Sequence, residues 1–112
     1  MKAPITTHIL DTSAGSPAAG VKVDLFPVGE TNQLIASGVT NDDGRVAKWD
    51  KNFELMKGDY LLSFEVSDYF ASQGKSTFYG DIQIKFKVAA IDEHYHVPLL
   101  LNPFGYSTYR GS

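Results

Sequence analysis

Runs of alternating apolar and polar residues constrain this chain more than any other feature. Ile82, Ile84, Phe86 and Val88 alternate with Asp81, Gln83, Lys85 and Lys87. Tyr60, Leu62, Phe64 and Val66 alternate with Leu61, Ser63 and Glu65. Successive side chains of a strand point to opposite faces, so a period of two marks a strand with one buried face. Shorter runs repeat the pattern at Val21, Val23 and Leu25, at Ile5, Thr7 and Ile9, and at Tyr95, Val97, Leu99 and Leu101. Clusters of Gly, Pro, Asn, Asp and Ser at 13–17, 41–44, 57–59 and 102–103 punctuate these runs as turns. About eight short strands result, which predicts an all-β sandwich or barrel. Only Ser67 to Gly74 reads as a helix, with Ser67 or Asp68 as its cap and Gly74 as its terminator.

A length of 112 residues suits a single domain, 1–112, built on one core. With 43% hydrophobic and 21% charged residues, the composition is that of a folded chain rather than a disordered one. A formal charge of −3 gives no electrostatic reason to expect nucleic acid or an anionic membrane as partner. No segment approaches the ~20 apolar residues of a membrane helix. Met1-Lys2-Ala3-Pro4 lacks the apolar run of a signal peptide, so a cytoplasmic location is expected. A periplasmic chain whose leader had been removed reads the same way. Cysteine is absent, which leaves no disulfide and no thiolate metal site.

Acid–base chemistry must then come from three histidines, the carboxylates and a few cations. Because Ile5, Thr7 and Ile9 share one face of the first strand, Thr6, His8 and Leu10 share the other. His94 and His96 likewise project away from the row of Tyr95, Val97 and Leu99. The same outward rows carry Leu10, Pro98 and Leu100, so the second face is expected to be covered, most simply by another copy of the chain. His94 and His96 form a possible metal pair. Two ligands do not make a zinc site, however, and only His8 is left as a third imidazole. Taken alone, Arg45 reads as a solvated charge at a strand edge and Tyr109-Arg110-Gly111-Ser112 as a frayed tail.

These same residues carry a family likeness. His8-Ile9-Leu10-Asp11-Thr12 with Gly15-Ser16-Pro17-Ala18 and Gly20-Val21, then Thr40-Asn41-Asp42-Asp43-Gly44-Arg45, then His94-Tyr95-His96-Val97-Pro98-Leu99-Leu100, then the closing Tyr106-Ser107-Thr108-Tyr109-Arg110-Gly111-Ser112, resemble the transthyretin-related 5-hydroxyisourate hydrolases. Four motifs in order across essentially the whole chain make the resemblance specific. Gly80 stands where the family usually has proline, and Asn102 where it commonly has serine. Both are expected to affect local backbone rather than chemistry.

The resemblance implies a transthyretin-like two-sheet β-sandwich of about eight strands with one short helix. It also implies a cofactor-independent, metal-free homotetramer, a dimer of dimers whose clefts lie at the interface between dimers. Its catalytic set falls on His8, Arg45, His96 and Ser112, with Tyr109, Arg110 and Gly111 also shaping the substrate pocket. The implied substrate is 5-hydroxyisourate, and His94 lies outside the implied catalytic set. Water attacking a carbonyl needs a base, and a histidine near its ordinary pKa of ~6.5 suits that task. His96 is expected as general base with His8 positioning water or relaying the proton, although the two roles are interchangeable at this level. Arg45 stays protonated and suits a carbonyl edge or developing oxyanion. Ser112 could hydrogen-bond substrate or hold water. Two other classes stay open: a carrier of a small aromatic ligand on the same scaffold, and an interaction domain in which the histidines are incidental.

Overall fold

Each alternating run becomes a strand, and the apolar rows meet across two stacked sheets. The computed structural model describes residues 3–29 and 33–112. Among these residues, the chain order is β1 (Ile5–Asp11), β2 (Ser16–Pro17), β3 (Lys22–Pro27), β4 (Ala36–Val39), β5 (Gly58–Phe64), α1 (Val66–Ala71), β6 (Ile82–Val88), β7 (Tyr95–Asn102) and β8 (Gly105–Thr108). One four-stranded sheet has the order β2-β1-β7-β8 and the other β4-β3-β5-β6. The architecture is thus the expected all-β sandwich of two sheets with one short helix. No helix among the described residues is long and apolar enough to cross a membrane.

The inward rows are those the alternation marks. Ile5, Ile9, Leu99 and Leu101 of the first sheet and Val23, Leu25, Leu62 and Phe64 of the second are completely buried. Burial of such side chains stabilises a fold by roughly 1.5–3 kcal/mol each. Two polar residues share the inward row of β1, and both are satisfied. The Thr7 hydroxyl donates to the Val97 carbonyl at 2.6 Å. The Asp11 carboxylate accepts from the Ser13 amide (3.0 Å) and hydroxyl (2.6 Å), the Ala14 amide (3.1 Å) and the Tyr69 hydroxyl (2.8 Å). Burial opposes ionisation of Asp11, but these hydrogen bonds outweigh it and hold the carboxyl below its ordinary pKa.

The pairing that builds the site is the one between β1 and β7. It is parallel, with Thr6 opposite His96, His8 opposite Pro98 and Leu10 opposite Leu100. The remaining strand pairs are antiparallel. Trp49 fastens the segment after β4 to β1 by donating its indole N–H to the Ile5 carbonyl at 2.9 Å.

Local signals misplace three boundaries. The helix is Val66–Ala71 rather than Ser67–Gly74, and its N-cap position is Glu65, which makes no side-chain capping bond. Val66 and Phe70, one helical turn apart, are its buried residues, so packing of that face sets the start over the available caps. Ser16-Pro17, read as part of a turn, pairs with Leu10 and Asp11 as β2. Gly58-Asp59, also read as a turn, opens β5 opposite Val88 and Lys87. The first is a short hairpin pairing and the second a pairing across about thirty residues, and turn composition reveals neither. Asn102 ends β7 with its side-chain oxygen accepting the Phe104 amide at 2.9 Å, a backbone role at the position that departs from the family pattern.

Candidate active site

The outer face of β1 and β7 gathers the chemistry. Thr6 on β1 faces His96 on β7, while His94, two positions before His96, projects on the same side. The Thr6 hydroxyl therefore lies between two imidazoles, 2.8 Å from His94 Nε2 and 2.9 Å from His96 Nδ1. His96 is half-buried, with its Nδ1 held by Thr6. Burial, and then the neighbouring Arg45, His8 and His94, push its pKa below the usual histidine value. His96 is consequently held as a neutral imidazole near pH 7.

Arg45 is delivered by a tight turn. Asn41 Oδ1 accepts the amides of Asp43 (2.9 Å) and Arg45 (3.1 Å), and Gly44 adopts φ +75°. The Gly44 carbonyl receives the Ile9 amide at 2.8 Å, and a β-carbon on Gly44 would collide with the Ile9 carbonyl. Only glycine lets this turn lie flush against β1. Arg45 is thereby bridged to His8 through the backbone.

The tail reaches the same place from the other side. The Gly111 amide donates to the His96 carbonyl at 2.8 Å. A β-carbon on Gly111 would meet the His96 ring, so glycine permits the close approach that carries Ser112 into the site. Thr6, Asn41, Arg45, His94, His96 and Ser112, with Thr7, Val46 and Ala47, line a cleft of about 290 Å³. That lies near the lower bound of small-molecule pockets, about 300 Å³. Two larger hollows of about 500 Å³ each lie around Trp49, but no histidine lines either.

The structure thus brings together His96, Arg45 and Ser112 in one cleft, with His8 beside them and Gly111 packed on His96. Tyr109 and Arg110 go elsewhere within the chain. They line a neighbouring hollow of about 220 Å³ with Lys85 and Phe86, and His96 borders both hollows. There Arg110 pairs with Glu93 at 3.2 Å and lies 4.7 Å over the Tyr95 ring. Thr6, Asn41 and His94 also line this cleft, outside the set expected from the sequence. Alternation already placed Thr6 on the histidine face, but the register that sets it between two imidazoles depends on the pairing of distant strands. Among the described residues, no three His, Cys, Asp or Glu side chains cluster as metal ligands.

A protein-family model described as HIUase/transthyretin matches residues 5–111. The chain belongs to this family. A 5-hydroxyisourate hydrolase of Halalkalibacterium halodurans is 46% identical over 120 aligned positions, covering 100% of both chains. Among solved structures, Klebsiella pneumoniae 5-hydroxyisourate hydrolase superposes with a TM-score of 0.84 at 41% identity, covering 98% of this chain and 94% of that one. Sea bream transthyretin in complex with thyroxine superposes with a TM-score of 0.89 at 28% identity, covering 97% and 95%. Backbone shape alone therefore does not separate the 5-hydroxyisourate hydrolase from the thyroxine-bound transthyretin.

Proposed function

We propose that this chain is a 5-hydroxyisourate hydrolase. It opens the six-membered ring of 5-hydroxyisourate with water, giving 2-oxo-4-hydroxy-4-carboxy-5-ureidoimidazoline. The observation that carries this reading is the convergence of a neutral, oriented His96 with Arg45 and Ser112 in one small cleft. A carrier needs no such acid–base set. With Nδ1 occupied by Thr6, His96 has Nε2 left for chemistry, which favours it over His8 as the base that deprotonates water. His8 positions that water. The Arg45 guanidinium receives the carbonyl oxygen as it gains charge. Ser112 hydrogen-bonds substrate or water, and Gly111 fixes its approach.

The working form is a homotetramer, a dimer of dimers, with Tyr109 and Arg110 completing the pocket when clefts face one another. The half-buried pair Leu10 and Leu100, set side by side on the outer face, supports such a cover. Freshly generated 5-hydroxyisourate should lose its ultraviolet absorbance faster with the protein than without it. Decay at the uncatalysed rate, together with saturable binding of a planar aromatic ligand, would favour the carrier instead.

A further inference from the structure

Thr6 holds the base in that scheme, and behind Thr6 stands His94, which the scheme leaves without a role. The parallel register sets Thr6 opposite His96, and the alternation of the β7 segment puts His94 on the same face. One hydroxyl therefore touches Nε2 of one ring and Nδ1 of the other, at 2.8 and 2.9 Å. A hydroxyl has a single proton to donate. For both hydrogen bonds to form between neutral rings, Thr6 must donate to one imidazole and accept from the other. If it donates to His94 Nε2, it accepts Nδ1–H of His96, and the lone pair of His96 is then on Nε2. That tautomer is the one a general base requires.

We propose that Thr6 and His94 are positioning residues that set the His96 tautomer and relay its proton. The proposal rests on the hydrolase reading for its kinetic consequence. As water attacks, its proton goes to His96 Nε2, the Nδ1 proton goes to Thr6 Oγ1, and the Thr6 hydroxyl proton goes to His94 Nε2. His96 and Thr6 each gain one proton and lose one, so both stay neutral, and His94 ends as the imidazolium. The reverse transfer makes His96 Nε2 the donor to the departing ring nitrogen, so no net proton is consumed. The relay has an electrostatic rationale. Arg45 and His8 press on a charged His96, and passing its Nδ1 proton to Thr6 keeps that ring neutral. The titratable and charged groups around the relay are Arg45 from the 41–45 turn, His8 from β1, and Arg110, which contacts the His94 carbonyl at 3.3 Å and Glu93 at 3.2 Å.

The test uses the full chain. Thr6→Val keeps the branched shape and removes the hydroxyl; Thr6→Ser restores it; His94→Phe removes the far end of the relay. Thr6→Val and His94→Phe should each lower kcat about tenfold or more, part of the 10²–10⁴ that a positioned base contributes, with little change in KM. Thr6→Ser should recover most of the rate. The double variant should lose no more than the worse single one, because the two act as a unit. Histidine ¹⁵N shifts in the unliganded protein should report an Nδ1–H tautomer for His96 in the wild type and a mixture in Thr6→Val. The wild-type rate alone tests the hydrolase reading, whereas the variant-to-wild-type ratio tests the relay, and the ¹⁵N measurement needs no substrate. A folded Thr6→Val protein with wild-type kcat and pH profile would overturn the proposal, as would an Nε2–H tautomer at His96 in the wild type. If Thr6→Val does not fold, His94→Phe and the wild-type ¹⁵N spectrum decide between the same two outcomes.

Discussion

Gly111 lies so close to His96 that a β-carbon on it would overlap the imidazole, while its amide donates to the His96 carbonyl at 2.8 Å. The tail and the proposed base are thus built against each other. Gly111→Ala must push either the tail or the ring aside, since Pro98 closes the other direction at 3.1 Å. A misplacement of about 1 Å at a reacting group costs up to 10²-fold in rate. Gly111→Ala should therefore lower kcat by about tenfold or more, while Tm moves by less than about 4 °C because the buried rows are untouched. Wild-type turnover in this variant would show that the tail does not set the His96 geometry.

His96 itself gives the plainest test. His96→Asn keeps a polar side chain on the outer face of β7 but removes the base. We expect kcat to fall about 10²-fold or more, with the far-ultraviolet circular dichroism spectrum unchanged. Near-normal turnover would remove His96 from the mechanism and move attention to His8.

How much of the fold and site is legible in the sequence follows from the range of each interaction. Ile82 to Val88 and Tyr60 to Phe64 declare their buried faces locally, because alternation is a property of neighbouring residues. His8 and His96 can be placed on outward rows for the same reason. That Thr6 lies opposite His96 cannot be read this way, because a parallel pairing across 90 positions leaves no local trace. Gly44 illustrates a middle case. Its turn is visible as Asn41-Asp42-Asp43-Gly44, but its seat against the Ile9 carbonyl, which aims Arg45, is tertiary. The separation of Arg110 from the cleft, over Tyr95 and beside Glu93, has no sequence signal at all.

Asp11 should matter to stability rather than to turnover. Its buried carboxylate accepts hydrogen bonds from Ser13, Ala14 and Tyr69. Asp11→Asn replaces one acceptor oxygen with a donor and should cost about 1–3 kcal/mol. The folded-state pKa is lowered, so this stabilisation is complete above the unfolded value of ~3.9 and is lost as pH falls through the lower folded value. Urea unfolding at pH 7 and below pH 4 should show a gap between wild type and Asp11→Asn that narrows on acidification. A gap independent of pH would mean that the carboxylate is not ionised in the fold.

The pH dependence of turnover separates the charge of Arg45 from its shape. Burial, then Arg45, His8 and His94, hold the His96 pKa below the usual ~6.5, so the acid limb of kcat/KM should lie below that value. Protonation of His96 removes the base, so activity should fall as pH drops through the lowered pKa and stay level above it. Arg45→Gln removes one cation near His96 and should move the limb upward, toward but not beyond ~6.5, since burial persists. Arg45→Lys keeps the charge and should leave the limb in place. Both variants should lower kcat, because neither side chain offers the planar fork that meets a carbonyl oxygen gaining charge. Profiles of kcat/KM from pH 5 to 9 for the three proteins decide the matter. A limb that stays fixed in Arg45→Gln would show that Arg45 does not act on His96 electrostatically, and a limb that shifts equally in both would assign the effect to packing instead.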